Sequence, residues 1–214
     1  MTRTSPPALE RLIDAADDIE ARTRAADHLG LSAGAYYRVV AVPASDALDG
    51  SNIVVATLAG EVRLAVRGLG DEPPTTRAGI GLACLPAALD RSWASALLAL
   101  RLTSRYTPVV RADDLGGVLI VAEAADAAHR DHADLAALKF LLRSQPQALA
   151  VLEVLAATTT ARAVSVETGL HIDSVRERSQ EYLRALGFDV LTARGRNRLT
   201  IALALFRLQT NRFA

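Results

Sequence analysis

Apolar and polar positions along this chain follow a mixture of strand and helix periods before about residue 145 and the helix period after it. Over residues 8–30 the apolar side chains Leu9, Leu12, Ile13, Ala16 and Ile19 recur on one face of a helix. Pro6 and Pro7 stand where proline is tolerated at a helix start, and Gly30 stands where glycine ends one. The unbroken run Tyr37 to Val42, closed by Pro43, predicts a buried strand. After the polar loop ASDALDGS, the β-rich runs Asn52 to Thr57 and Glu61 to Val66 flank Leu58-Ala59-Gly60 and predict a hairpin. Residues 68–76 are rich in breakers, and Arg77 to Leu82 predicts a fourth short strand. From Leu85 or Pro86 to Thr103 the spacing of Leu89, Trp93, Ala96, Leu97 and Leu100 turns helical, and Val109-Val110 predicts a last strand. Residues 112–125 and 131–143 predict two more helices, the first weakened at Gly116-Gly117.

Beyond the polar boundary Ser144-Gln145-Pro146-Gln147 every pattern is helical. Leu149, Leu152 and Leu155 define a helix over 148–157, and Thr158 to Thr160 supply caps for the one that follows. Two helices then meet at Gly169-Leu170-His171, the outline of a helix-turn-helix, with glycine suited to the bend because it takes positive φ without steric cost. His171, Asp173 and Ser174 can each cap the second helix. At 100° per residue its apolar face centres on Val175, Ser179, Tyr182 and Leu186. Asp173, Glu177, Gln180, Glu181 and Arg184 fall outward, with Arg176 and Arg178 on the flanks. Leu199, Ala202, Leu203 and Phe206 close a terminal core, preceded by an arginine-rich loop over 192–198. The expected fold class is α+β: a helical segment over 1–34, a small antiparallel sheet with packed helices over 35–143, and an all-helical domain over 144–214.

Composition changes this picture little. Half of the 214 residues are hydrophobic and the formal net charge is zero, which excludes general disorder. The charge is unevenly placed: residues 148–214 carry nine arginines against six acids, so the basic end fits a nucleic-acid-facing part on an acidic body. Cys84 is the single cysteine, which excludes an intrachain disulfide and leads us to expect a reduced, cytoplasmic setting. No apolar run reaches the roughly 18 residues that span a bilayer, and the polar start lacks a signal-peptide core.

The run Gly169-Leu170-His171-Ile172-Asp173-Ser174-Val175-Arg176-Glu177-Arg178, followed by Leu183 to Asp189, resembles the C-terminal helix-turn-helix of PucR/CdaR-type transcriptional regulators. His171, Val175, Arg176, Arg178, Leu186, Gly187 and Asp189 match that pattern; Ile172, Asp173, Glu177 and Ser179 stand where the family has Arg, Asn, Tyr and Leu. The stretches ARTRAADHLGLSAGAYYRVVAV, AGIGLACLPAALDRSWASALLALRL and PVVRADDLGG resemble the degenerate GGDEF-like domain that precedes the motif in the same regulators. The likeness then covers about residues 21 to 208. A sensory region would be expected ahead of these parts; either the natural protein is short or that region lies outside this sequence. The resemblance implies a regulator that binds double-stranded DNA as a homodimer, with an unidentified small-molecule effector and no cofactor. Its expected DNA-contacting residues are Thr160, His171, Ile172, Asp173, Ser174, Arg176, Glu177 and Arg178, with Arg194, Arg196 and Arg198 touching phosphates. A continuous basic stripe through 176, 178, 194, 196 and 198 would favour DNA. A neutral or acidic face would favour a protein partner, and a cleft beside the sheet would favour a small-molecule sensor.

Enzymatic readings are weaker. A diguanylate cyclase needs a Gly-Gly-Asp/Glu-Glu-Phe turn to admit nucleotide and hold metal, and the matching hairpin offers only Gly60 and Glu61. The adjacent acids Asp17-Asp18 and Asp113-Asp114 read as helix starts or solvated faces. His129, His132 and Asp126 could share a helical face as metal ligands, though an exposed polar helix start is the simpler reading. No phosphate loop or nucleophile elbow is present.

Overall fold

A computed structural model describes residues 6–50, 52–128 and 132–213. The chain divides into two compact units: unit 1 comprises residues 1–123 and 211–214, and unit 2 comprises residues 124–210. The class is α+β, as expected, with a mostly antiparallel five-stranded sheet in unit 1 and helices alone in unit 2.

In unit 1 the expected single helix over 8–30 is two helices, α1 (Pro6–Ile13) and α2 (Ile19–His28). The aspartates between them explain the break. Asp14 Oδ1 accepts from Ala16 N–H at 2.8 Å and Asp18 Oδ1 caps α2 through Ala21 N–H at 2.7 Å, so local side-chain bonds replace the helical ladder. The buried Arg22 guanidinium donates to the freed carbonyls of Asp14 and Asp17 at 3.1 and 2.6 Å, and to Ala87 O at 2.8 Å. Leu9, Leu12 and Ile13 are buried, whereas Ala16 and Ile19, expected on the same stripe, are exposed.

The strands are β1 (Tyr37–Pro43), β2 (Ile53–Thr57), β3 (Gly60–Gly68), β4 (Ala78–Ile80) and β5 (Val109–Arg111), in spatial order β2-β3-β1-β4-β5. The hairpin forms with Val55 opposite Val62 and Thr57 opposite Gly60. The β1–β3 and β1–β4 pairs are antiparallel, in line with the small antiparallel sheet expected, and β4 and β5 run parallel, Gly79 opposite Val110. The connection explains this: α3 (Leu89–Leu102), entered through a 3₁₀ turn at Pro86–Ala88, carries the chain back over the sheet as a crossover. β1 reads as unbroken apolar sequence because both its faces are covered. Val39 and Ala41 join Leu12, Val62, Leu64, Leu89 and Leu100, while Val40 and Val42 pack with Ala78 and Ile80.

Helix α3 lies almost in contact with the β4 backbone. A Cβ added at Gly79 would stand 2.1 Å from Ala96 O, and one at Gly81 would stand 2.0 Å from Ser92 O. Two buried serines on α3 complete the seam: Ser92 Oγ accepts from Val39 N–H at 2.8 Å, and Ser95 Oγ accepts from Leu82 N–H at 2.9 Å. α4 (Ala112–Leu115) and α5 (Gly117–Ala128) replace the expected single helix, divided at Gly116 with φ 51°. α5 continues across the boundary between the units.

Unit 2 contains α6 (Ala133–Ser144), α7 (Ala148–Ala157), α8 (Ala161–Thr168), α9 (Ile172–Leu186) and α10 (Ala193–Thr210). α6, placed by the sequence with the sheet, sends Leu138, Leu141 and Leu142 into one core with Leu152, Leu155, Val175, Tyr182, Leu199 and Leu203. The helical body therefore begins well before Ser144. Among the described residues no helix is long and apolar enough to cross a membrane.

Candidate nucleic-acid interface

The helix-turn-helix is built as its sequence requires. Thr160 Oγ1 caps α8 by accepting from Ala163 N–H at 3.2 Å, and Gly169 ends α8 in the left-handed region at φ 69°. Ser165 Oγ donates to Leu170 O at 2.6 Å and Thr168 Oγ1 donates to Val164 O at 2.6 Å, so the turn is tied back to α8. Of the three candidate caps for α9, His171 is the one used: its Nδ1 accepts from Asp173 N–H at 3.4 Å.

α9 buries the stripe read from the sequence. Val175, Ser179, Tyr182 and Leu186 are each no more than 5% exposed. Ser179 Oγ returns a bond to Val175 O at 2.7 Å. Burial raises the Tyr182 phenol above its ordinary pKa, with the Arg178 charge beside it acting in the opposite sense. His171, Asp173, Arg176, Glu177, Gln180, Glu181 and Arg184 are exposed, and Ile172, Ser174 and Arg178 are half-buried. The Asp173 carboxylate lies 3.5 Å from Arg176 Nη1, one turn along the helix. At 65% and 67% exposure the Asp173–Arg176 pair is weak and readily exchanged. On α8, Arg162 and Val166 are also exposed, the latter by 75%. Neither belongs to the turn motif, so neither stands out in the sequence.

The second arginine group differs from expectation. Residues 193–198 are the first turns of α10 rather than a loop, because Thr192 Oγ1 accepts from Gly195 N–H at 3.0 Å and starts the helix there. Arg194 is exposed, but Arg196 donates to Leu191 O at 2.6 Å. Arg198, its side chain 40% exposed, is committed to another helix. Its Nε and Nη2 grip Asp134 at 2.9 and 2.6 Å, and its guanidinium lies 4.3 Å from the centre of the Phe188 ring. Of the five arginines expected in a basic stripe, Arg198 is therefore paired with an acid and fastens α10 to the start of α6. Sequence spacing gives no sign of a partner so far upstream. The one local hint is the repeated His-x-Asp start, since His132 caps α6 through Asp134 N–H at 3.2 Å much as His171 caps α9.

The Arg198 hydrogen bonds hold the Asp134 carboxyl below the usual carboxylate range, outweighing the burial that opposes ionisation. A carboxyl lowered in the folded state stabilises fully above its unfolded pKa and loses that contribution as pH falls through the folded value. Thermal melting of unit 2, followed by circular dichroism, is expected to be level above about pH 5 and to fall below about pH 4. Asp134→Asn should flatten that acid limb, and an unchanged limb would remove the assignment.

His132 lies at a helix cap, and His129 lies outside the described residues. Among the described residues no cluster of His, Cys, Asp or Glu is arranged to hold a metal. A groove of about 370 Å³ is lined by Ala8, Arg11, Ala21, Arg24 and His28, on α1 and α2 rather than beside the sheet.

No protein-family model and no curated protein matches the chain. Among solved structures, it is similar to a regulator of polyketide synthase expression from Bifidobacterium adolescentis. The two share 17% identity over 95% of this chain and 92% of that one, with a TM-score of 0.40. A likeness of that degree assigns this chain to no family.

Proposed function

We propose that unit 2 reads double-stranded DNA through α8, Gly169 and α9, acting as a two-fold dimer in a transcription regulator of the PucR/CdaR type. The observation that carries this reading is the division of α9: one stripe is locked into the core of its own unit, and the opposite face, from His171 to Arg184, is open along its length. A rod held on one side and bare on the other is what a major groove receives.

Arg176, 65% exposed near the start of α9, is the foremost candidate for a base edge or phosphate. Arg178 serves the flank beside Tyr182. Asp173 and Glu177 can accept from cytosine N4, while Ile172 and Ser174 shape the contact. Thr160 orders the α8 amides, His171 orders those of α9, and Arg194 supplies a phosphate contact from α10. Arg196 serves as a weaker one, and Arg198, its fork filled by Asp134, supports the site instead of touching DNA. One such helix makes too few base contacts, so a second copy supplies the other half-site about one helical turn away. A small organic effector fits the same reading.

Selection of bound genomic fragments should return a shared, pseudo-palindromic sequence, and sedimentation should show a dimer at micromolar concentration. Arg176→Ala should weaken binding about tenfold, a loss of about 1.4 kcal/mol within the range for a specific arginine contact. If the contact is to phosphate, the salt slope also falls by about one unit. Recovery of no fragment, with the protein folded, would overturn the reading. The three carboxylates Asp173, Glu177 and Glu181 would then favour a basic protein partner for the same face.

A further inference from the structure

After α10 the chain returns to unit 1, where Asn211 and Phe213 are placed by directed contacts. Asn211 Nδ2 donates to Arg101 O at 2.6 Å and to Thr103 O at 3.1 Å, at the end of α3 where helical carbonyls lack partners. Phe213 N–H donates to Ala59 O at 2.6 Å, and Phe213 O accepts from Glu61 N–H at 3.2 Å, so the segment bridges the β2–β3 turn in parallel. The ring is 5% exposed within the core of unit 1, with the Arg77 guanidinium 5.1 Å from its centre. Arg77 is itself held by Thr103 Oγ1 at 2.6 Å.

Gly60 makes the fit possible. Its φ is 111°, and a Cβ there would stand 1.6 Å from Phe213 O. The turn is thus shaped around a second backbone, the arrangement by which an extended peptide adds to an existing strand. Beside these backbone bonds, the Phe213 ring and the Asn211 amide hold the segment. The helix leading into it belongs to unit 2, and the remaining chain link between the units runs through α5.

We propose that the slot between the β2–β3 turn, Arg77 and the end of α3 is a peptide-binding site whose occupant, Asn211 to Phe213, is separable. The segment is a latch. Closed, it lies along the β2–β3 turn as part of unit 1; open, it leaves the slot and uncovers the Glu61 amide. The slot selects an extended peptide with an amide side chain two residues before a phenylalanine. Short additions of this kind open locally, without unfolding the body that receives them. The inference stands apart from DNA recognition and survives its failure.

The test uses a chain ending at Thr210 and a synthetic peptide of sequence QTNRFA. The peptide should bind the shortened chain one to one by calorimetry and restore hydrogen-exchange protection at the Glu61 amide. The same peptide with alanine for phenylalanine should bind at least tenfold more weakly. No binding by a shortened chain that keeps its circular dichroism and cooperative melting would overturn the latch. In the full-length protein, the Phe213 amide should exchange through an opening that leaves the β1–β3 ladder protected. Exchange of Phe213 only through global unfolding would make the segment a fixed part of the core, and this readout decides the matter if the shortened chain does not fold.

Discussion

Gly79→Ala is expected to unfold unit 1 or to destabilise it by about 3 kcal/mol or more, at the upper end of what overpacking costs. The added carbon would lie 2.1 Å from Ala96 O and 2.2 Å from Leu100 N, both on the α3 backbone. A Cβ has no rotamer by which to turn away, so α3 must lift from β4. Lifting it breaks the serine bonds to Val39 and Leu82 and opens the cover over β1. Gly81→Ala should behave alike, against Ser92 O at 2.0 Å. Gly34→Ala and Gly70→Ala, where a Cβ meets nothing within 4 Å, are the controls and should be nearly neutral. Urea titration read by circular dichroism separates the outcomes. A Gly79→Ala protein as stable as the controls would contradict the close seam between helix and strand.

Tyr182→Ala should have the second large effect, confined to unit 2. Tyr182 is 1% exposed and sits among Leu138, Val175, Leu186 and Leu199, so truncation removes a ring from a filled core. Large-to-small changes of this kind cost about 3–5 kcal/mol, enough to melt a small helical body. The α9 face would lose its backing, and the DNA binding proposed for it would be lost with the fold. Tyr182→Phe keeps the ring and loses the hydroxyl, which is hydrogen-bonded with the Arg178 side chain, so it should cost about 1 kcal/mol. Equal losses from the two variants would place the hydroxyl, rather than ring packing, at the centre of unit 2.

Much of this architecture is visible in local pattern. The hairpin around Gly60, the strand at 37–43 and the buried stripe of α9 each follow from the spacing of a few residues, because each is decided by its own period and its own turn. What stays hidden depends on partners far away in sequence. The helix break at 14–18, started by its own aspartates, is also held by Arg22, whose guanidinium reaches Ala87 far along the chain. The parallel β4–β5 pair follows from α3 crossing between them, and the boundary near Ser144 misplaces α6 because its leucines face α9 and α10. Within the candidate site, the outward face of α9 is legible, since a helix needs only one buried stripe to define the other. The fate of Arg198 is not, for an exposed-looking arginine in a basic run reveals nothing of the acid waiting on another helix.

The bridge between Gly60 and Phe213 also bears on how the protein is made. Domains generally fold in the order in which they leave the ribosome, and unit 1 holds most of its residues ahead of unit 2. Yet one side chain of its core is translated only after α10. The nascent sheet must therefore persist with its hairpin turn unfilled while an entire helical body is synthesised, and the body begun earlier is the one finished later.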